Sequence, residues 1–490
     1  MSTVAFRRLV LAFSSVFDDV LGDRLNTNMG HLVRSLALVF LASSLFLAPA
    51  TGQNIPIKVT TIHVFNGNDG AGPSLETLAQ GEDGNLYGTA VTGSLAKQGG
   101  TVFQMTPAGS LTTLHVFDGF DGWHPAAGLI LGSDGLFYGN TRSRGTFFPD
   151  DGTIFSIAGD GTFNLLDMLD DRFANPSASL IQGADGNYYG TSPGKGGSIT
   201  PGSVFEVTSA GQLKLLHAFS RKADGANPIS GLIQGTDGAF YGTTSDGAFG
   251  CGTIFRMSPA GFVSTVHAFT WNDGCIPLGT LLLANDGNFY GTTYSGGSHE
   301  FGTVFQMTPF GNLTTLHNFD VFDGASPYAG LVQATDGKLY GTTDSGSFGN
   351  YGLIFSITTH GDFSVLQRFD LFHGDGPEGG LVQHTNGLLY GTTTFGGLTN
   401  HGTVYTIDIG AGPFIKTVQT SGTVGQQIGI LGSGFSGAMD VAFQGTLAVF
   451  NIVSDTFITA TVPAGASSGV VQVRVPGATL NSNIDFQVLP

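Results

Sequence analysis

The chain has few charges. Lys, Arg, Asp and Glu together make up 11% of its 490 residues, less than half the share in ordinary globular domains. Only 18 residues are Lys or Arg against 36 Asp or Glu, giving a net charge of −18. This argues against nucleic acid or an anionic membrane surface as partner, because both are bound through basic patches. Cysteine and tryptophan each occur twice. Beyond residue 50 no apolar run reaches the roughly 18 residues that a membrane-spanning helix needs, so no membrane insertion is expected. No G-x-S-x-G, H-E-x-x-H or Walker pattern occurs, so no catalytic residue can be named from a motif. What abounds is glycine, with 77 residues, and aromatics, with 40 Phe and 12 Tyr. Disordered chains are poor in aromatics and rich in charge, which excludes that class. The glycines follow no G-X-Y period, which excludes collagen. Thr, Val, Phe, Leu and Gly dominate in place of Glu, Lys, Ala and Arg, the composition of an all-β chain with many tight turns.

The N-terminus bears on the compartment. Ser35 to Leu47 is apolar, preceded by Arg34 and followed by Ala48-Pro49-Ala50, the pattern of a secretory signal cleaved after Ala50. Residues 1–50 are therefore read as a signal peptide. Met29 would open one of ordinary length and is the alternative start. An exported chain is secreted or held at the cell surface, where its two cysteines, Cys251 and Cys275, are expected to be oxidised to a disulfide.

A Tyr-Gly pair recurs at Tyr87, Tyr138, Tyr189, Tyr241, Tyr290, Tyr340 and Tyr390, every 49 to 52 residues. Three or four residues before each Tyr stands Asp-Gly or Asn-Gly, a turn signal that tolerates the positive φ of a tight hairpin. A Gly-Thr-Val-Phe-like run follows, ending at Phe103, Phe155, Phe205, Phe255, Phe305, Phe355 and Tyr405. Each unit reads as four short strands. In the fourth these are Gly231 to Gln234, Phe240 to Thr244, Gly252 to Met257 and Phe262 to Phe269. Four antiparallel strands in about 50 residues is the pattern of a β-propeller blade. The ends of the array favour a ring over an open solenoid. Val59 to Phe65 copies the fourth strand, and after Tyr390 only the third strand, His401 to Ile407, follows. The two ends would complete one blade, which leaves no open sheet edge. The expected fold is all-β: a seven-bladed propeller over residues 57–408, closed by an N-terminal strand, then a second domain over 412–490.

The unit Gly231-Leu-Ile-Gln-Gly-Thr-Asp-Gly-Ala-Phe-Tyr-Gly-Thr-Thr244, followed by Gly252-Thr-Ile-Phe255, resembles the Gloeobacter/Verrucomicrobia tandem repeat of secreted bacterial proteins. The resemblance implies an extracellular repeat protein and carries over no catalytic residues. The second unit departs most, with Asn140 in place of Thr and Arg142 to Asp151 in place of the Gly-rich loop. From Gly412 the period is lost. Pro413-Phe-Ile415, Gly432-Ser-Gly-Phe435, Ile458 to Gly465 and Gly469 to Val473 resemble an IPT/TIG domain, an immunoglobulin-like β-sandwich used as a spacer or protein contact.

Three repeated features are candidates for chemistry. His63, His115, His217, His267 and His317 share one position of the fourth strand, where structural packing is the expectation. Gln80, Gln182, Gln234, Gln333 and Gln383 end the first strand. They could line a channel, although hydrogen bonds to the backbone of a neighbouring blade are favoured because buried amides seek partners. Asp69, Asp121, Asp171, Asp224, Asp273 and Asp323, with His373 in the last copy, form an acidic row between blades. Calcium needs six to eight oxygens and no EF-hand spacing appears, so turn formation is favoured and no cofactor is expected.

Links between strands one and two and between strands three and four are minimal turns. Links between strands two and three and between blades are longer and emerge on the opposite face. That face carries the candidate ligand-binding residues Trp123, His124, Trp271, Asp121, Asp273, Asp323, Tyr328 and His373. Aromatics beside carboxylates suit stacking on sugars or docking to a polar protein surface. The sequence thus favours a non-catalytic binding module for extracellular glycan or protein. A structural matrix protein is the first alternative, and a propeller glycoside hydrolase or lyase the second.

Overall fold

The repeat motif is explained by three contacts inside each unit of the computed structural model. It describes residues 57–489 except 74–76, 94–98, 145–150, 196–200, 222–223 and 347–348. The expected signal peptide and part of the divergent second-unit loop lie outside the described residues. First, the Tyr hydroxyl of each Tyr-Gly pair donates to the side chain of the turn residue four positions earlier. The distance is 2.7 Å for Tyr189 to Asp185 and 3.1 Å for Tyr241 to Asp237. In the seventh unit the turn residue is Asn386, whose Nδ2 donates to Tyr390 instead (3.0 Å). Second, the Asp Oδ1 accepts from the amide two residues on, as in Asp237 with Ala239 (3.1 Å), which fixes the turn. Third, the Gly after the Tyr lies directly across the sheet from the aromatic of the third strand, as in Gly242 opposite Phe255. A Cβ on Gly242 would stand 2.7 Å from Phe255 Cζ and 2.8 Å from Leu232 Cδ2. The ring fills the place where a side chain would be, so the two motifs, some thirteen residues apart, constrain each other.

Each unit forms an antiparallel sheet that resembles a propeller blade. The fourth runs Ile233–Gln234, Phe240–Thr244, Thr253–Met257, Val263–Ala268 in spatial order. Its first strand is shorter than the sequence suggests, and the Gly231 amide bonds outside the sheet, to Thr280 Oγ1 of the next unit (2.9 Å). Seven such sheets occur among the described residues, the first with an extra strand, Ala71–Pro73, against Leu86–Thr92. The first strand of the array, Lys58–Val64, does not stand alone. It pairs antiparallel with Thr403–Asp408, Val59 opposite Ile407 and Val64 opposite Thr403, as the outer strand of the seventh sheet. Helix is confined, among the described residues, to three short turns, at Asp171–Phe173, Ala248–Gly250 and Phe435–Gly437. No described helix is long and apolar enough to cross a membrane.

The cores lie between sheets. Phe240 and Phe255 are buried together with Tyr189 and Phe219 of the preceding unit, and equivalent clusters recur around the array. The recurrent glutamines fasten the units. Gln182 Oε1 accepts from Ser133 N (3.0 Å), Gln234 from Ala184 N (3.0 Å), Gln333 from Asn285 N (2.9 Å) and Gln383 from Thr335 N (3.0 Å). Gln80 does the same with Thr385 N (3.0 Å), joining the first unit to the seventh across 305 residues. These are the favoured bonds, to the backbone of a neighbouring unit.

The C-terminal part is an immunoglobulin-like sandwich. One sheet is ordered Lys416–Thr417, Gln427–Leu431, Phe457–Thr461, Phe450–Ile452, and the other Thr446–Ala448, Asp440–Phe443, Val471–Val475, Ala478–Asn481. Ile430, Phe443, Ile458 and Val473 are buried between them.

Cys251 and Cys275 are joined by a disulfide with their Cα atoms 4.4 Å apart. The bond ties the entry of the third strand to the loop that leaves the fourth. Replacing both cysteines by Ala should cost about 3 kcal/mol in the chain-entropy account of a loop this size, read as a lower denaturation midpoint that reductant no longer shifts. Gly242→Ala should lower stability by about 1–3 kcal/mol through overpacking against Phe255. The paired change Gly242→Ala with Phe255→Leu should recover part of that loss.

Candidate ligand-binding face

The acidic row and the histidine row, separate in sequence, form one device. The Nε2 atoms of His115, His267 and His317 lie 2.8, 2.9 and 3.0 Å from an Oδ2 of Asp121, Asp273 and Asp323. His63 with Asp69 (3.1 Å) and His217 with Asp224 (3.3 Å) repeat it. In four of the five the other carboxylate oxygen accepts a backbone amide three residues earlier, as Asp273 does from Thr270 (2.7 Å) and Asp323 from Asp320 (2.7 Å); Asp224 accepts the Ser220 amide on Oδ2 (3.1 Å). Each Asp therefore closes its own loop and clamps it to the fourth strand. Burial holds the His317 imidazole below its usual range and the Asp323 carboxyl above the carboxylate range. Among the described residues no group of three or more His, Cys, Asp or Glu is arranged to hold a metal ion.

The predicted site residues are dispersed over this face. Trp271 is 48% exposed on the loop after the fourth strand of its unit. Trp123 is half-buried and not equivalent to it. It follows the loop Asp121, pairs with Ser143, and lies edge-on to His124 with ring centres 5.7 Å apart. Tyr328 lies edge-on to Tyr294 at 6.4 Å. His373 is exposed, its Nδ1 2.7 Å from Asp370 Oδ1, so the last copy reverses the pairing found in the others. Asp121, Asp273 and Asp323 are occupied by the clamps described above.

Sequence reasoning missed two groups. Phe120, Phe322 and Phe372 stand just before the loop Asp or its replacement, as Trp271 nearly does, and are 85%, 65% and 72% exposed. Their position in the repeat was the available signal, hidden among many phenylalanines that fill cores. The second group lines a cavity of about 410 Å³ where the first, second and seventh units meet: His124, Arg142, Thr394, Phe395, Asn400 and His401, over Gly72 and Val91. His124 is the one predicted residue in it. Burial, with the nearby Arg142 charge, holds the His124 imidazole below its usual range. Thr394 Oγ1 donates to Glu378 Oε2 at 2.7 Å. Beyond Thr394, burial raises the carboxyls of Asp344, Asp375 and Glu378 above their usual range, and their mutual repulsion adds to this for Asp344 and Glu378.

The opposite, short-turn face is partly covered. Thr456 Oγ1 of the sandwich donates to Glu82 O (2.6 Å), Asn285 Nδ2 to Asn483 O (2.8 Å), and the Phe414 amide to Thr385 O (3.0 Å). Lys416 Nζ donates to Gln383 O (2.9 Å), and its burial pushes the ammonium down to about 8. Turns of the first, fifth and seventh units thus carry the sandwich.

Fold and surface together define a repeat protein of propeller-like blades with an attached immunoglobulin-like domain. Residues 47–249 and 231–446 match the Gloeobacter/Verrucomicrobia repeat, and residues 413–488 match the IPT/TIG domain. The chain belongs to the Gloeobacter/Verrucomicrobia repeat family. No curated protein matches it. Similar solved structures include a protein from Bacteroides fragilis provisionally assigned as a 6-phosphogluconolactonase (18% identity, 63% of this chain, 88% of that chain, TM-score 0.45). Others are a gluconolactonase from Xanthomonas campestris (15%, 72%, 89%, TM-score 0.36) and a protein from Lactobacillus plantarum (17%, 59%, 83%, TM-score 0.40).

The raised carboxyls give a pH prediction. A carboxyl whose folded value lies above its unfolded value binds more protons when folded, so stability falls as pH rises through the interval between the two. Glu378→Gln should therefore raise the melting temperature at pH 7 and flatten that fall, leaving stability near pH 3.5 little changed. A lower melting temperature at pH 7 would contradict this.

Proposed function

We propose that the seven sheets close into a seven-bladed β-propeller, locked by Lys58–Val64 in the last blade, and that the chain is an exported, non-catalytic binding module whose long-loop face takes glycan. The closure is supported by the pairing of Lys58–Val64 with Thr403–Asp408 and by the bond of Gln80 to Thr385. Export is supported by the apolar segment before Ala48-Pro49-Ala50 and by the disulfide. A repeat array of this family with an IPT/TIG domain is typical of extracellular proteins.

The observation that carries the binding role is the asymmetry of the two faces. The sandwich is fastened to the short-turn side, while the other side bears the exposed rings of Phe120, Trp271, Phe322 and Phe372 and the cavity. Solitary exposed apolar residues are ordinary, but four large rings at nearly one repeat position offer stacking platforms on a rigid frame. A second reading, a hydrolase, is favoured by the half-buried carboxyls of Asp344, Asp375 and Glu378, since a carboxyl kept protonated can serve as a general acid.

Glycan-array binding of the secreted chain tests this. Trp271→Ala and Phe322→Ala should each weaken binding about three- to tenfold, the worth of one aromatic contact, with the melting temperature unchanged. Ser110→Ala on the short-turn side should have no effect. Equal affinity in all variants would refute the site, and release of reducing ends that Glu378→Gln abolishes would favour the hydrolase. Deleting residues 57–66 should cause aggregation or a large loss of stability, and an unchanged melting temperature would refute closure.

A further inference from the structure

The cavity between the first, second and seventh units departs from the acidic character of the chain. Arg142 directly follows the second strand of its unit, Phe137–Thr141. The same position elsewhere holds Val91, Pro193, Ser245, Tyr294, Asp344 and Thr394, so the cation is particular to this blade. His124 is likewise particular. Its loop position is held in other units by Gly72, Asn175, Asn227, Ile276, Ser326 and Gly376, and all seven residues have φ between 54° and 61°. The backbone brings the two together, the Arg142 amide donating to His124 O at 3.0 Å.

Several other arginines of the chain are matched by acids. Arg144 pairs with Asp151 (3.2 Å), Arg172 with Asp170 (2.8 Å) and Arg256 with Asp237 (2.7 Å). The Arg142 guanidinium is paired with no described carboxylate, although acidic residues outnumber basic ones two to one. Its charge acts instead on His124. Glu378 lies behind Thr394 of the cavity wall, which donates to it. Phe395, half-exposed, supplies an apolar wall, and Asn400 an exposed amide. At about 410 Å³ the cavity is in the range of small-ligand sites. It is too small for a folded partner.

We propose that this cavity binds the anionic group of a sugar, a uronate carboxylate or a sulfate ester, with Arg142 as counter-ion, His124 and Asn400 as hydrogen-bond donors, and Phe395 against the ring. A guanidinium suits either group, because its paired N–H donors match two oxygens at once. The proposal rests on the reading that the long-loop face takes glycan, and names the class of sugar.

Calorimetric titration of the secreted chain with glucuronate, glucose 6-sulfate and glucose tests it. At least one anionic sugar should bind about tenfold or more tighter than glucose, the worth of a hydrogen bond to a charged group, and the preferred one identifies the source. Arg142→Ser, which installs the residue of the fourth unit, should remove that preference. His124→Asn, which installs the residue of the third and fourth units and keeps the left-handed backbone, should weaken binding with an unchanged melting temperature. Equal affinity for glucose, an undiminished preference in Arg142→Ser, or no binding of any of the three sugars would overturn the proposal. In the first two cases glycan-array binding that depends on Trp271 would leave the broader reading standing. Anionic sugar bound in an Arg142-dependent way, without any Trp271-dependent array signal, would sustain this proposal and remove the exposed rings from the broader one.

Discussion

The structure depends on a hydrogen bond between neighbours: a glutamine at the end of a first strand accepts the turn amide of the preceding unit. Five of the seven junctions have it, at 2.9–3.0 Å, and one of the five joins the first unit to the last. The bond of Gln80 to Thr385 is buried, where leaving an amide unpaired costs about 1–3 kcal/mol; the others lie nearer solvent and contribute less each. At the other two junctions Leu131 and Leu283 replace it and pack among apolar neighbours. The fastening is thus distributed between polar and apolar contacts. With Lys58–Val64 paired to Thr403–Asp408, the two ends of the array share one sheet.

Much of this was legible because the repeat samples each position seven times. The Tyr-Gly pair, the Asp-Gly turn and the third-strand aromatic were visible as patterns before their contacts were known. Their contacts explain why they travel together: a hydroxyl that needs the turn carboxylate, and a glycine that makes room for a ring. The glutamine bonds followed from chemistry alone, since a recurrent buried amide must find a partner. The joining of His115 to Asp121 was less visible. Both rows were seen, but which side chains meet across a bulged strand depends on register that spacing does not reveal. The binding face was least legible. Exposure separates Phe120 from Phe117, three residues apart, and no property of the side chains does. The two tryptophans share a residue type but not a position. The cavity residues Arg142 and His401 come from units far apart in sequence and are brought together only if the ring closes.

Function follows from which surface is left open. The sandwich takes up turns of the first, fifth and seventh units on one face, through bonds to backbone carbonyls and to the Asn285 side chain, and the buried Lys416 is among its anchors. The other face keeps its longer loops, five of them clamped by a His and Asp pair to the strand beneath. A clamped loop loses little entropy when a ligand binds, which is the advantage of presenting recognition groups on a rigid frame. The same repetition lets single blades differ. The second unit, most divergent in sequence, contributes both His124 and Arg142 to the cavity.

The central claim is that the N-terminal strand is an integral part of the last blade. Native-state hydrogen exchange measures this directly, because amides in a sheet that opens only on global unfolding exchange at the global free energy. Ladder amides within Lys58–Val64 should be as protected as those of Thr403–Asp408, and both should lose protection at the same denaturant concentration. Exchange of the N-terminal strand many orders of magnitude faster than its partner would contradict the account.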